Sequence, residues 1–319
     1  MSQGPPDTAD AFELAGPWRH RYVAANGARF HVAEVGAHEA PLVVLLHGFP
    51  EFWWTWRHQL PALADAGFRA AAMDLRGYGG SDKTPRGYDP ITLAQDVSGV
   101  VKALGAGSAV LVGHGWGGYA AWATAVLHAR EVSAVAAVSA PHPLTMLEAL
   151  WRSPRRVGAV RHVLAMQVPW RPERRLADPA SGFLREHLRS WSADGSAFPS
   201  EADVATYQTA ISRWPSSHCA LEYHRWLFRS RTRADGRRFN RAMRPPVAQP
   251  VLCVAGREDP ALPAAGISRS RAHVVGDLTE QLLPGVGHFP HEEAPEAFNR
   301  VLLDWLGTAQ SVRQSAQTE

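Results

Sequence analysis

Strand-like and helix-like segments alternate along the chain up to Pro141, and this alternation constrains the fold more than any other feature. One strand, Leu42–Leu46, is a continuous apolar run of the kind that is buried on both faces of a sheet. The other strands predicted in this part occupy residues 68–74, 109–112 and 132–140. Such an alternation favours a parallel sheet with helices on both of its faces.

Local signals add further elements to this sheet. The dipeptide Asn26-Gly27 stands between two β-like runs, which is typical of a tight hairpin. Residues 92–95, Thr-Leu-Ala-Gln, form a capping box and predict the start of a helix that ends at Leu104. Apolar runs at 251–255 and, more weakly, at 281–283 predict the last strands.

The alternation stops at Pro141, and the next hundred or so residues are rich in Arg and Trp and have no clear strand pattern. An insertion after a strand in mid-sheet lies over the strand ends, where such folds bind ligands. The predicted division is a disordered N-terminus at 1–17, a core at 18–141 and 246–306, a helical cap at 142–245, and a disordered tail at 307–319.

The charge of the chain is concentrated in the cap. Between Met146 and Pro246 there are 18 Arg, no Lys and 9 acidic residues, a net charge of +9, whereas the whole chain carries +3. This asymmetry predicts a cap surface that associates weakly with an anionic membrane or an acidic partner. The arginines are scattered among Trp and Leu without a nucleic-acid-binding motif, so no nucleic acid is predicted as a partner.

Nothing in the sequence predicts export or insertion into a membrane. No run approaches the roughly 18 consecutive apolar residues of a spanning helix. The start of the chain has acidic residues and lacks the basic and apolar regions of a signal peptide. The two cysteines, Cys219 and Cys253, lie in runs that look buried, and such thiols suit a reducing compartment. We therefore predict a cytoplasmic protein.

Residues 110–118 predict a strand, a tight turn and a helix in immediate succession. The turn Gly113-His114-Gly115-Trp116 has glycines where a strained turn leaves little room for Cβ atoms. This is the layout of a nucleophile elbow, which raises one side chain above a sheet. The same glycines match a dinucleotide-binding fingerprint, but the next predicted strand does not end in the acid that would bind a ribose. That alternative is therefore weaker.

The motif HGFP, residues 47–50, follows the buried strand Leu42–Leu46. In a sheet with a nucleophile elbow, the loop at this place supplies one backbone N–H to an oxyanion hole. The residue after the tip of the elbow supplies the other N–H. The predicted donors are therefore Phe49 and Trp116.

An acid and a histidine follow the elbow in the chain order of α/β-hydrolase triads. Asp259 comes after the strand at 251–255, and His288 lies in a later glycine-containing loop. We predict that Asp259 orients the imidazole and that His288 acts as a general base. Taken singly, Asp259 could cap a helix and His288 could fill the core, but their order favours catalysis. His291 is three residues from His288, but no third zinc ligand is found, so neither a metal nor a cofactor is predicted.

Five motifs together resemble the epoxide hydrolase branch of the α/β hydrolases. These motifs are HGFPEFWWTWR, DLRGYGGSDK, GHGWGG, GREDP and GVGHFPHEEAPE. The resemblance covers the core from residue 19 to residue 306. It implies an α/β-hydrolase fold: a mostly parallel eight-stranded sheet with helices on both faces and a helical cap insertion. It also implies a hydrolase that acts on a small apolar molecule, an epoxide or a related compound.

The chain departs from that branch at its reacting groups. Epoxide hydrolases carry Asp at the tip of the elbow, where this chain has Gly115, so no side chain is present to form a covalent ester. Their two cap tyrosines, which hydrogen-bond the epoxide oxygen, correspond to His162 and His224. The second assignment rests on the adjacent Arg225, and a shift by one residue would place Tyr223 there instead.

Two classes of function remain open. The first is an enzyme in which His288 and Asp259 activate water directly on an apolar substrate. The second is a catalytically inactive protein of this fold that binds a small ligand. Retention of the acid, the histidine and the donors Phe49 and Trp116 favours the enzyme, whereas Gly115 favours the inactive binder.

Overall fold

The computed structural model describes residues 12–152, 158–261 and 264–318. Eight strands form one sheet in the order β1-β2-β4-β3-β5-β6-β7-β8. Strand β2 runs antiparallel to both of its neighbours, and the other pairs are parallel. The strands are β1 Arg19–Ala25, β2 Ala28–Val35, β3 Leu42–Leu46, β4 Arg69–Met73, β5 Ala109–His114, β6 Val132–Val138, β7 Val251–Gly256 and β8 Leu278–Leu283.

Helices cover both faces of this sheet. None of the described helices is both long enough and apolar enough to cross a membrane. The α-helices in the described part are α1 Gln59–Asp65, α2 Pro90–Ala103, α3 Trp116–Leu127, α4 Pro143–Arg152, α5 Gly158–Ala165, α6 Arg171–Ala177, α7 Phe183–Trp191, α8 Glu201–Ser212, α9 Ser216–Arg229, α10 Ala234–Ala242, α11 Ala264–Arg269, α12 Pro290–Glu293 and α13 Pro295–Thr318.

The sequence patterns that predicted the sheet correspond to its geometry. All five residues of β3 are buried because the strand lies between β4 and β5 and is covered on both faces. The hairpin between β1 and β2 turns at Asn26 and Gly27, whose φ angles of 45° and 71° suit Asn and Gly better than other residues. The predicted mostly parallel sheet with helices on both faces is confirmed.

The start of α2 differs from the prediction. Asp89 caps this helix, since its Oδ1 accepts a hydrogen bond from the Thr92 backbone N–H at 3.0 Å. Pro90 occupies the first helical position, where its missing N–H and fixed φ cost nothing. The capping box predicted at residues 92–95 is therefore wrong. The helix begins three residues earlier, and the side chain of Asp89 satisfies the backbone N–H of Thr92.

Both predicted disordered ends need correction where the structure describes them. Residues 1–11 and 319 lie outside the described part. Phe12 is buried, and its carbonyl oxygen accepts a hydrogen bond from Trp53 Nε1 at 2.7 Å, so the predicted N-terminal disorder does not extend to this residue. At the other end, α13 continues past Leu306 to Thr318, since no proline follows Gly307 and Ala309 is buried.

Helices α4–α10 all lie between β6 and β7 in the chain and form the cap. An ion pair joins the cap to the core. Arg57 of the core lies 3.0 Å from Asp203 of α8 and 2.6 Å from Glu292 of α12. The fold class predicted from the sequence, including the helical insertion, is thereby confirmed.

Candidate active site

The turn between β5 and α3 is held by close backbone packing. A Cβ atom at Gly117 would overlap the backbone carbonyl oxygen of Leu46 on the neighbouring strand β3. Gly115, at the tip, has φ 52° and ψ −113°, a strained backbone conformation that L side chains rarely adopt. A Cβ at this tip would nevertheless meet only the Gly48 Cα, at 3.6 Å. The tip therefore has room for a side chain that this sequence does not supply.

Asp259 and His288 are hydrogen-bonded to each other, and His288 lines the same cavity as the tip residue Gly115. The Nδ1 of His288 lies 2.8 Å from Oδ2 of Asp259, and the two residues are 5% and 8% exposed. A carboxylate can only accept here, so Nδ1 carries a proton, and in the neutral imidazole Nε2 is the basic nitrogen. Nε2 has no hydrogen-bond partner among the described residues. The edge of the His288 ring contacts Trp191 of the cap at a centroid distance of 4.8 Å.

A buried glutamate that the sequence analysis missed connects the loops of the site. The carboxylate of Glu51 accepts from His114 Nδ1 at 2.8 Å and from the Gly48 backbone N–H at 2.8 Å. His114 Nε2 in turn lies 3.0 Å from the carbonyl oxygen of His288. Burial disfavours the charged imidazole, but the Glu51 carboxylate outweighs it and raises the pKa of His114. Glu51 directly follows HGFP, and an acid inside so apolar a motif was the available signal.

His291 belongs to this buried network and not to the acid–histidine pair. Its Nε2 lies 3.3 Å from Oε1 of Glu51 and 2.8 Å from Oγ1 of Thr55. The ligand atoms of Glu51, His114 and His291 lie within 4.8 Å of one another, a spacing that could hold a metal ion. In this arrangement those atoms hydrogen-bond to one another or to Thr55.

The two predicted oxyanion-hole donors have unsatisfied backbone N–H groups. Neither Phe49 nor Trp116 donates its backbone N–H to another residue in the described part of the chain. The N–H of Trp116 is also at the N-terminus of the twelve-residue helix α3, where partial positive charge accumulates. Two free donors at one end of a cavity are suited to bind an oxygen atom that carries negative charge.

The two cap histidines contact each other. The Nε2 atoms of His162 and His224 lie 3.1 Å apart, and the indole Nε1 of Trp116 lies 3.2 Å from Nε2 of His224. The Nδ1 of His224 lies 3.3 Å from the carbonyl oxygen of Ala220, to which it can only donate. Burial lowers the pKa of His224 to about 3, so its imidazole is neutral and its Nε2 is an acceptor.

It follows that the Nε2–H of His162 and the indole N–H of Trp116 both donate to Nε2 of His224 and share its single lone pair. Neither Nε2 group is left as a donor to a ligand. The neighbouring Tyr223 does not face the cavity, because its hydroxyl donates to the carbonyl oxygen of Arg76 at 2.6 Å. The structure therefore places His224 on the cavity and Tyr223 in the core.

A third cap histidine was missed by the sequence analysis. His187 of α7 is buried, and its ring stacks on His162 at 4.8 Å and contacts Trp191 at 4.4 Å. Its Nε2 has no hydrogen-bond partner among the residues that the structure describes, and burial lowers the pKa of the imidazole to about 3. The spacing of Phe183, His187 and Trp191, four residues apart each time, was the available signal for one face of a helix.

Apart from Asp259, the predicted site residues line a single cavity between the sheet and the cap. The space between its lining atoms is ≈ 720 Å³ when the open solvent at the mouth is counted. The rest of its wall is mainly apolar. The predicted residues on this wall are Phe49, Gly115, Trp116, His162, His224 and His288.

A sheet of this strand order, with a tight elbow, a later acid–histidine pair and a helical cap over the site, defines the α/β-hydrolase class. The chain belongs to the alpha/beta hydrolase fold family, whose sequence model matches residues 41–295.

Relatives within this class are named as epoxide hydrolases. The chain is 34% identical to epoxide hydrolase A of Mycobacterium tuberculosis, over 90% of this chain and 96% of that protein. It is 31% identical to epoxide hydrolase 3 of Xenopus tropicalis, over 90% of this chain and 78% of that protein. The structure of an epoxide hydrolase from an endophytic Streptomyces superimposes with a TM-score of 0.80 at 30% identity, covering 93% of this chain and 97% of that one.

Proposed function

We propose that the protein is a hydrolase of a small apolar substrate, an epoxide or a related compound, and that it uses water activated by His288. The observation that carries this proposal is the hydrogen bond of 2.8 Å between Asp259 and His288, since His288 lines the same cavity as Gly115, the elbow residue without a side chain. The relatives support the class of reaction by their names, and the apolar wall of the cavity supports the class of substrate.

The chemistry follows from the proton positions. Nε2 of His288 takes a proton from water as the water oxygen bonds to an electrophilic carbon of the substrate. In an epoxide the bond from that carbon to the ring oxygen breaks, the electron pair stays on that oxygen, and the imidazolium returns the proton to it, which gives a diol. Asp259 holds the imidazole in the required tautomer and stabilises the imidazolium that forms. A covalent intermediate requires a nucleophilic side chain at the elbow, and Gly115 supplies none. The proposal is therefore a single displacement by water.

A non-catalytic ligand-binding protein is the second candidate, and Gly115 is the observation that favours it. Removing the nucleophile of a hydrolase that acts through a covalent intermediate typically costs a factor of about 10⁶ in turnover. A chain that had lost its activity in this way would still have the apolar cavity and could bind a ligand there.

Turnover on small aryl epoxides, esters and haloalkanes separates the two candidates. We expect hydrolysis that falls by a factor of about 10²–10⁴ in His288→Ala, with no increase in protein mass after a single turnover. His38→Ala is the matched control, since His38 is 61% exposed on the surface. Activity that survives His288→Ala contradicts the mechanism, and saturable binding without any turnover favours the inactive binder.

The compartment is part of the proposal. Both cysteines, Cys219 and Cys253, are buried and free, and this supports a reducing environment such as the cytoplasm.

A further inference from the structure

We infer that the substrate is an acyl compound, such as a carboxylic ester, whose carbonyl oxygen occupies the oxyanion hole formed by Phe49 and Trp116. This inference rests on the proposed function and names its substrate class. Three observations carry it: the free donors at the elbow, the open space above Gly115, and the hydrogen bond between His162 and His224 in the cap.

The free donors and the open space lie at the same end of the cavity. The backbone N–H groups of Phe49 and Trp116 have no acceptor in the described part of the chain. The direction of a Cβ at Gly115 is open except for the Gly48 Cα at 3.6 Å. No carboxylate at position 115 can accept from these donors, so they are available to an oxygen of the ligand. A carbonyl oxygen suits the place because it gains negative charge when its carbon is attacked.

The cap provides the contrasting observation. Opening an epoxide places negative charge on the ring oxygen, which needs a donor on the cap side of the cavity. His162 already donates its Nε2–H to His224, and His224 is an acceptor at Nε2. The indole N–H of Trp116 is also used by His224. The His162–His224 pair therefore offers no donor to a ring oxygen, whereas the backbone N–H groups of Phe49 and Trp116 suit attack at a carbonyl.

The reaction balances with water as the only co-reactant. His288 Nε2 takes a proton from water while the water oxygen bonds to the carbonyl carbon. The π electrons of the carbonyl group move onto its oxygen, which accepts from the N–H groups of Phe49 and Trp116. The oxyanion then re-forms the double bond, the bond from carbon to the leaving oxygen breaks, and His288 returns its proton to that oxygen. The products are a carboxylic acid and an alcohol.

Phenyl acetate and styrene oxide, two aromatic molecules of eight carbons each, test the inference. We expect the protein to hydrolyse phenyl acetate, to place the oxygen of ¹⁸O-labelled water in the acetate, and to leave styrene oxide at the buffer rate. His288→Ala should lower kcat/KM for the ester by a factor of about 10²–10⁴. Hydrolysis of styrene oxide that depends on His288, without ester hydrolysis, overturns the inference and keeps the proposed function. Absence of turnover on both compounds overturns both.

Variants at the elbow test the place of the carbonyl oxygen. In Gly115→Asp the new carboxylate can accept from the two donors and fill the hole, so we expect ester hydrolysis to fall by at least about 10², the value of one lost oxyanion donor. Gly115→Ala introduces the same backbone strain without a carboxylate and should retain more activity. Equal activity in the two folded variants would overturn the assignment of the hole.

A separate observation concerns the outer surface of the cap. Trp170 and Trp214 are 71% and 70% exposed, and they line one groove together with Arg174. Trp170 has a φ of 63°, a strained conformation for a residue with a side chain. Arg171 and Arg175 are also exposed and belong to α6, the helix that contains Arg174. Exposed indoles beside arginines are typical of surfaces that lie at a membrane interface.

From this surface, which we call the tryptophan groove, we propose that the cap docks on an anionic lipid bilayer. Charge complementarity selects this occupant, because the chain between Met146 and Pro246 carries a net charge of +9. The indoles of Trp170 and Trp214 would enter the headgroup region, while Arg174 would pair with lipid phosphates. Docking of this kind would bring an apolar substrate from the bilayer close to the cap.

Flotation with vesicles of phosphatidylcholine alone, and of equal parts phosphatidylcholine and phosphatidylglycerol, tests this second inference. We expect binding to the anionic vesicles only, with a blue shift of the tryptophan emission, and its loss in Trp170→Ala/Trp214→Ala. Val275→Ala is the matched control, since Val275 is 70% exposed outside the cap.

Charge variants complete this test. Arg171→Ala and Arg174→Ala should each lower the partition coefficient on the anionic vesicles about fivefold at low salt. The exposed core arginines Arg86 and Arg130 supply the control double variant and should have no such effect. Absence of binding to anionic vesicles overturns the proposal. The proposal is also overturned if Trp170→Ala/Trp214→Ala leaves vesicle binding unchanged but abolishes self-association of the protein or its binding to an acidic protein.

Discussion

The Nε2 atoms of His162 and His224 lie 3.1 Å apart, and one of these two imidazoles has to donate to the other. Because His224 donates through Nδ1 to Ala220, the donor is His162. The pair therefore holds two helices of the cap together, α5 and α9. If these residues stand in the places of the two cap tyrosines of epoxide hydrolases, a pair of donors to the ligand has become an internal hydrogen bond.

Restoring the three altered positions should restore epoxide hydrolysis. Gly115→Asp alone should restore little, because the epoxide oxygen would still lack donors, each worth a factor of about 10²–10³. The triple variant Gly115→Asp/His162→Tyr/His224→Tyr should exceed the sum of its parts, because these groups act as a unit. Hydrolysis of styrene oxide and the mass of a trapped ester measure the effect.

The matched control for this variant is Gly115→Asn/His162→Tyr/His224→Tyr, which keeps the shape but has no carboxylate nucleophile. It should form no ester. High epoxide turnover by Gly115→Asp alone would show that His162 and His224 do not occupy the tyrosine positions.

The stability of the protein should fall as the pH is lowered from about 6.5 towards 3. Desolvation by burial lowers the pKa of His187 and His224 from 6.5 to about 3. Between these values the unfolded chain binds more protons than the folded chain, so stabilisation is complete above pH 6.5 and is lost as the pH falls. Each residue contributes a loss of up to about 1.4 kcal/mol per pH unit. Urea unfolding at a series of pH values measures this slope.

His187→Phe should make that slope shallower, because it removes one titrating group, whose Nε2 has no hydrogen-bond partner in the described part of the chain. His38→Gln is the control substitution at a surface histidine, whose side chain is 61% exposed. An unchanged slope in His187→Phe would contradict the account.

Glu51→Gln should be strongly destabilising. Glu51 is fully buried, and its carboxylate pairs with His114 and accepts from the Gly48 N–H. Breaking a buried pair by removing one charge typically costs about 3–5 kcal/mol. Glu201→Gln is the control, because Glu201 pairs with Arg185 at the surface and such pairs contribute about 0–1 kcal/mol. Equal losses in the urea-unfolding free energies of the two variants would contradict the prediction.

Gly117→Ala should disrupt the elbow. The added Cβ would overlap the carbonyl oxygen of Leu46, and backbone cannot move aside as a flexible side chain can. We expect a loss of about 3 kcal/mol or more, or failure to fold. Gly107→Ala meets nothing within 4 Å and should stay within about 0.5 kcal/mol of the parent protein. Similar soluble yields and unfolding curves for both variants would count against this packing.

Local structure that depends on short sequence patterns could be predicted from the sequence. The buried run Leu42–Leu46, the Asn26-Gly27 turn and the glycines of the elbow determine their local structure by solvent exposure and backbone sterics alone. The order of elbow, acid and histidine then placed Asp259 opposite His288, because the carboxyl ends of parallel strands meet at one edge of the sheet. The start of α2 was predicted at residue 92 instead of Asp89 because two capping patterns overlap there.

The sequence by itself therefore determined the sheet, the cap and the identity of the acid–histidine pair. Only the tertiary structure decided what the other polar groups do. The partner of Glu51 is 63 residues away in the chain, and the indole that donates to His224 is 108 residues away. Which of two facing imidazoles donates depends on the third group each one meets, such as the Ala220 carbonyl. A hydrogen bond is set by distance and direction in space, and neither is encoded in local periodicity.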